Sequence, residues 1–175
     1  MVIKRQKKAI FFDRDGILID APTENNKPKS IKTKKEIKFC KHIKSICKKY
    51  SKNFVLIMVT NQPDYARGVN TKKNINEINN HIKKTLNLNA VYVNFSDNDN
   101  DNDRKPNPGM LLKAKKKFNI NFNKSFILGD RWRDIGAGNK AKCNTVFLDR
   151  KYDEKMKYKP KYKIESLKEI FSIIK

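Results

Sequence analysis

Cysteine and histidine are scarce in this chain of 175 residues, with three Cys and two His. Cys40, Cys47 and Cys143 show no paired spacing of the kind structural zinc requires, and few, scattered thiols are the usage expected in a reducing cytoplasm. His42 and His81 fall on expected helices remote from other polar clusters, so neither is read as catalytic. No apolar run is long enough to span a bilayer, and the basic stretch Met1 to Lys8 lacks the apolar centre of a secretory signal. No internal repeat occurs. Acidic residues are outnumbered, 18 against 41 basic, for a net charge of +23. Such a surplus points first to nucleic acid or a membrane surface. The excess, however, is lysine spread along the whole chain beside abundant Asn and Ile. All three use A/T-rich codons, so coding composition is a sufficient cause. Lys151 to Lys163, interleaved with Tyr152, Tyr158 and Tyr162, is the best candidate for a nucleic-acid patch. Nucleic acid is not the expected partner, although the charge leaves it open.

What is present is a set of polar clusters at the ends of apolar runs. Ala9 to Phe12 reads as a short strand ending in Asp13-Arg14-Asp15-Gly16. Carboxylates two apart project the same way if strand geometry persists, and Gly16 allows a sharp turn. Two acids at the end of a buried strand are costly unless a metal or hydrogen-bond donors compensate them; a solvated turn is the other reading of this segment alone. Phe54 to Val59 is an unbroken apolar run, as in strands buried on both faces, and it ends in Thr60-Asn61-Gln62. Arg104-Lys105-Pro106 opens a turn before a lysine-rich helix starting near Pro108. Ser125 to Leu128 is another short strand, followed by Gly129-Asp130-Arg131-Trp132-Arg133-Asp134.

The alternation of strands with helices predicts an α/β fold: a doubly wound parallel sheet with helices on both faces. Helices are expected over Lys34–Tyr50, from Thr71 as N-cap to about Leu86, over Pro108–Phe118, Asp134–Lys142 and Ile164–Ile174; further strands cover Val91–Val93 and Thr145–Leu148. The length fits one domain, 1–175, with the motifs in 8–148 and a basic C-terminal segment and helix in 149–175. No stretch suffices for a large cap domain, so access to the strand ends falls to loops 21–30, 63–70 and 95–103. In open α/β sheets ligands bind outside the carboxyl ends of the strands. The clusters gathered there would form a divalent-metal and phosphate constellation.

These four segments, in this order, resemble the motifs of the haloacid dehalogenase superfamily of aspartate-nucleophile phosphatases. Phe12 to Gly16, Val59 to Gln62 with Ala66-Arg67-Gly68, Arg104 to Pro106 with Pro108-Gly109-Met110, and Gly129 to Asp134 are similar to those of the D-glycero-D-manno-heptose 1,7-bisphosphate phosphatases. The histidinol-phosphate phosphatases are close relatives. The resemblance implies that Asp13 is the nucleophile, forming an aspartyl-phosphate that splits hydrolysis into two displacements, and that Asp15 is general acid and then base. It implies Mg²⁺ held by Asp13, the backbone carbonyl of Asp15, and Asp130, with Asp134 assisting. Thr60 would hold phosphate oxygens, Lys105 would neutralise charge during transfer, and Asn61, Gln62, Arg67, Arg104 and Arg131 would contact substrate. The implied activity is removal of the 7-phosphate of the heptose bisphosphate; histidinol phosphate or a polynucleotide 3′-phosphate is the alternative substrate. The expected partner is a small phosphorylated sugar, and the expected state a cytoplasmic monomer without a membrane.

Arginine usage supports this independently. Only seven residues are Arg, and five of them, Arg14, Arg67, Arg104, Arg131 and Arg133, lie in the motif segments. A planar fork suits bidentate phosphate contacts better than a lysine point charge does; for Arg14 and Arg133 structural ion pairs are the simpler reading. The chain also departs from the resembled pattern. Heptose-branch relatives carry a Cys/His zinc loop where this chain has Asn94 to Asp103, so structural zinc is not expected. The alternating acids lack the Gly and later Glu of an EF-hand, and a solvated, flexible loop is expected instead. Ile17 stands where Thr is common, and Pro63-Asp64 replaces Ser-Gly, removing one amide donor and adding negative charge. Weaker binding of a distal phosphate would follow.

Overall fold

Apolar runs alternating with amphipathic stretches build one parallel sheet. The structure, a computed structural model, describes residues 5–175, so half of the basic N-terminal stretch lies outside the described residues. The strands are β1 (Lys8–Phe12), β2 (Thr23–Glu24), β3 (Lys27–Pro28), β4 (Phe54–Asn61), β5 (Ala90–Asn94), β6 (Phe126–Gly129), β7 (Asn144–Leu148) and β8 (Tyr162–Ile164). Six of them form a sheet in the order β5-β4-β1-β6-β7-β8, parallel throughout, while β2 and β3 pair as a separate antiparallel hairpin. Connections run outward from β1 through β4 to β5, then cross to β6 on its other side. The carboxyl ends of β4, β1 and β6 therefore border the crevice where strand order reverses.

Period-two alternation divides the core. Ile10 and Phe12 of β1 join Leu56, Met58, Leu128 and Val146 on one face, where α1 (Ile43–Tyr50), α2 (Lys72–Thr85) and α5 (Ile170–Ile173) pack. Ala9 and Phe11 join Val55, Ile57, Val59 and Ile127 on the other, under α3 (Gly109–Phe118) and α4 (Trp132–Lys140). With both faces covered, the strands can be apolar throughout. Helix α2 buries Ile75, Ile78 and Ile82 at helical spacing and begins at Thr71, whose hydroxyl accepts from the Asn74 amide at 3.1 Å. Helix α3 ends at Asn119, which adopts a left-handed conformation.

Two expected helices are shorter than their periodicity. Over Lys34–Tyr50 only a 3₁₀ turn, Lys34–Glu36, and α1 are helical. Residues 38–40 instead pair with the loop after β1: the Asp20 amide donates to the Lys38 carbonyl (2.8 Å) and the Cys40 amide to that of Leu18 (3.2 Å). His42, at φ +70°, breaks the helix and is not part of one. At the C-terminus, Ile164 ends β8, and Ile164–Ile174 becomes a strand end, the 3₁₀ turn Leu167–Glu169 and α5. Ile164, Leu167, Ile170 and Ile174 are all buried, so helical spacing arises there from a change of element. Loop 21–30 contains the β2–β3 hairpin, turned by Asn25 and Asn26 at φ +49° and +56°, the backbone that two-residue hairpin turns require. Among the described residues no helix is long and apolar enough to cross a membrane.

Candidate active site

Strand β1 delivers Asp13 to the carboxyl edge, where its amide donates to the Leu128 carbonyl of β6 at 3.0 Å. Strand β6 ends at Gly129 and is followed by Asp130; α4 then presents Asp134 from its first turn, with Asp134 Oδ2 accepting from the Arg131 amide at 3.1 Å. The three carboxylates are buried, each with an oxygen within 4.8 Å of the others'. Lys105 joins two of them. Its Nζ donates to Asp13 Oδ1 (2.8 Å), Asp134 Oδ1 (2.6 Å) and the Val59 carbonyl (2.8 Å). Both backbone groups of Lys105 are fixed by Asn61: Nδ2 donates to its carbonyl (2.9 Å) and Oδ1 accepts from its amide (3.1 Å).

One ammonium against three buried carboxylates leaves an excess of negative charge. Burial, then the neighbouring Asp134, raises the Asp13 pKa to about 6 despite Lys105. Asp130 is raised well above the ordinary carboxylate range by burial and by Asp13 and Asp134. Burial works against the Lys105 charge, but Asp13 and Asp134 outweigh it and raise its pKa to about 12. Neither oxygen of Asp130 has a hydrogen-bond partner among the described residues. The Tyr152 hydroxyl partly opposes the Asp130 shift without reaching hydrogen-bond geometry. Buried, unpaired carboxylate oxygens beside two further acids fit a hard divalent cation, which oxygen ligands suit. Gly16 makes this packing possible. It lies at φ +83°, and a Cβ there would collide with the Asp130 carboxylate.

Asp15 lies on the same cleft but in a different network. It accepts from Arg14 Nη2 (3.0 Å), Gln62 Nε2 (3.0 Å) and the Ser30 hydroxyl (3.1 Å). Arg14 is wholly buried and also donates to Gln62 Oε1 (2.8 Å) and Asn79 Oδ1 (3.1 Å), so it braces the site from behind. Gln62 Nε2 donates at 2.8 Å to the Thr60 hydroxyl. Thr60 and Gln62 are both 1% exposed and lie behind the cleft wall.

The cleft encloses about 440 Å³ and is rich in cations: Lys29, Lys32, Arg67, Arg104, Arg131 and Arg133 line it beside Lys105. Asn61 lines it too, with its amide engaged by Lys105. Arg131 is forked onto Glu154, and Arg67 is half exposed, 4.0 Å from Asp97. Of the residues singled out from sequence, Asp13, Asp15, Lys105, Asn61, Arg67, Arg104, Arg131 and Asp134 meet around this space; Asp130 abuts it from the buried acid cluster. Ser30, Asp99, Tyr152 and Glu154 were not legible. Tyr152 and Glu154 belong to the supposed nucleic-acid patch, which packs onto α4: Tyr158 stacks on Trp132 (6.2 Å), and Lys157 lies over the same ring. Interleaved aromatics looked the same in sequence whether they face solvent or a helix.

Loop 95–103, expected to be flexible, is tied down. Asp99 binds Arg104 and Arg133. Amides of Ser96, Asn98, Asn100 and Asp103 donate to side chains two residues earlier, a run of Asx and Ser turns. The alternating Asn/Asp pattern therefore encodes turns.

Residues 8–163 match the family model described as polynucleotide kinase 3 phosphatase. The D-glycero-beta-D-manno-heptose-1,7-bisphosphate 7-phosphatase of Helicobacter pylori is 32% identical over 149 residues, covering 81% of this chain and 83% of that protein. The alpha-anomer 7-phosphatase of Campylobacter jejuni is 28% identical, covering 96% of each. Among solved structures, D,D-heptose 1,7-bisphosphate phosphatase from B. bronchiseptica, complexed with magnesium and phosphate, superposes with a TM-score of 0.79 at 20% identity, over 95% of this chain and 97% of that one.

Proposed function

Because the chain belongs to the polynucleotide kinase 3 phosphatase family and is a haloacid dehalogenase-type phosphatase, we propose that it is a Mg²⁺-dependent sugar-phosphate phosphatase acting on the 7-phosphate of D-glycero-D-manno-heptose 1,7-bisphosphate. The observation that carries this reading is the buried group Asp13, Asp130 and Asp134, in which Lys105 joins Asp13 to Asp134 beside a cationic cleft. The heptose assignment draws on the names of the two curated relatives, which differ in anomer.

In this reading Asp13 attacks phosphorus and the sugar oxygen departs, leaving an aspartyl-phosphate that water then hydrolyses. Asp15 donates a proton to the departing oxygen and takes one from the attacking water. Lys105 steadies Asp13 and meets the charge on the transferring group. Asp13, Asp130 and the Asp15 carbonyl would hold Mg²⁺, with Asp134 supporting. When bound, the ion supplies compensation for the phosphate charge. Thr60 and Gln62 would set the orientation of Asp15. Asn61, Arg67, Arg104 and Arg131 would serve substrate recognition, Asn61 by holding Lys105. Three free, buried cysteines favour a reducing cytoplasm as the site of action.

The family model's own name motivates a second reading, a 3′-phosphorylated polynucleotide as substrate. Phosphate release with Mg²⁺ from both heptose bisphosphate anomers, histidinol phosphate, fructose 1,6-bisphosphate and a 3′-phosphorylated oligonucleotide separates the two. The proposal expects the highest kcat/KM on one heptose anomer. Turnover of the oligonucleotide alone, falling steeply with salt, would replace it.

A further inference from the structure

We propose that Asp99 is a positioning residue that sets Arg104 and Arg133 on the cleft wall to receive an anionic group of the substrate remote from the phosphate being transferred. The inference rests on the sugar-bisphosphate reading. Asp99 is outside the cleft lining, whereas both arginines belong to it. Its two oxygens take the Arg133 fork, Oδ1 from Nη1 at 2.8 Å and Oδ2 from Nη2 at 3.0 Å. Oδ1 also accepts from Arg104 Nε at 2.9 Å. Arg104 Nη1 is held by the Ser96 carbonyl at 2.7 Å, and Asn107 Nδ2 grips the Asp99 carbonyl at 3.0 Å. One carboxylate thus locks the side chain preceding Lys105 to a side chain of α4, and joins both to loop 95–103.

The Asp99 side chain is 61% exposed while that of Arg104 is 6% exposed, so the carboxylate holds a nearly buried guanidinium from its solvent side. Geometry carries the positioning role. The planar guanidinium groups are fixed at two or more nitrogens, while Arg104 Nη2 and Arg133 Nε have no protein acceptor among the described residues. Donors fixed in advance lose less freedom when they meet an anion. The hydrogen bond from Arg133, then that from Arg104, holds the Asp99 pKa at about 2, so its charge persists at any assay pH near neutrality.

The test uses the full-length chain and its Asp99→Asn, Asp99→Glu and Arg133→Gln variants, with kcat and KM measured on heptose 1,7-bisphosphate and on p-nitrophenyl phosphate, which has no second anionic group. The expected result for Asp99→Asn is a rise of about tenfold in the bisphosphate KM with kcat little changed, and p-nitrophenyl phosphate turnover within about twofold of the parent. Asp99→Glu should recover part of the loss, and adding Arg133→Gln to Asp99→Asn should cost less than the two single effects multiplied. Equal losses on both substrates, or no change on either, would overturn the positioning role. A parent protein that hydrolyses p-nitrophenyl phosphate but shows no preference for a bisphosphate would instead overturn the sugar-bisphosphate reading, and the Asp99 role with it.

Discussion

Asp13 carries the chemistry at the scale of single residues, and its partners limit what can replace it. Asparagine is nearly isosteric and can still accept from Lys105 Nζ, yet it cannot serve as a carboxylate nucleophile. Asp13→Asn should therefore lower kcat by at least about 10³-fold, with a circular dichroism spectrum matching the parent. Gly16 supports the site differently. An added methyl would face both a left-handed backbone at φ +83° and the Asp130 carboxylate. Gly16→Ala should cost about 1–3 kcal/mol in urea unfolding and abolish the stabilisation that Mg²⁺ gives the parent. The acids themselves were legible as residues, because Asp13, Asp15 and Asp130 follow apolar runs and Asp134 closes the polar segment that begins at Asp130. Ser30 and Glu154 were not, since each lies in a polar segment with nothing to mark one side chain from the next.

Elements meet at Arg14, which follows β1 and bonds Gln62 beyond β4 and Asn79 on α2. Methionine there would keep much of the volume but leave Asp15, Gln62 and Asn79 short of a donor in buried surroundings. Arg14→Met should destabilise by about 3–5 kcal/mol, measurable as a fall in the urea midpoint at an unchanged slope. The sheet itself was readable because its strands are short, apolar and punctuated by polar ends. Boundaries were misread where one burial period crosses two elements. Cys40 and Ile43 both point inward, but Cys40 belongs to a segment paired with Leu18. Ile164 and Leu167 look like one helical face although a strand ends between them. Loop 95–103 is exposed over residues 97–100, as its composition suggests, but a low-complexity Asn/Asp run does not reveal that its side chains also close turns on their own backbone.

At the scale of the whole molecule, the acid cluster couples stability to pH and metal. Asp13 rises from an ordinary 3.8 to about 6 in the folded protein, and Asp130 moves the same way. A carboxyl group raised on folding favours the folded state fully at low pH and loses that contribution as pH climbs through the folded value. The metal-free protein should thus lose stability between about pH 4 and pH 6 from Asp13, with Asp130 acting in the same direction. Mg²⁺ displaces their protons, so its stabilising effect should grow across the same interval. Thermal shift with Mg²⁺ and with EDTA, from pH 4.5 to 7.5, checks this; an ion effect independent of pH would contradict it. The surplus lysines take no part in this coupling. Those in the 151–163 segment illustrate why: Lys151 and Lys163 pair with Asp149, and Lys157 covers Trp132.

The central claim, that Asp13 accepts the phosphoryl group, can be tested directly by trapping. The protein is mixed with Mg²⁺ and heptose bisphosphate, quenched in acid, and treated with borohydride, which reduces an acyl phosphate to homoserine. Trypsin cleaves after Lys8 and Arg14, so the peptide Ala9–Arg14 contains Asp13 as its only acid and leaves Asp15 in the next fragment. The account predicts homoserine at position 13, dependent on both substrate and Mg²⁺. An unmodified Ala9–Arg14 peptide during turnover, or label in the fragment carrying Asp15, would contradict it.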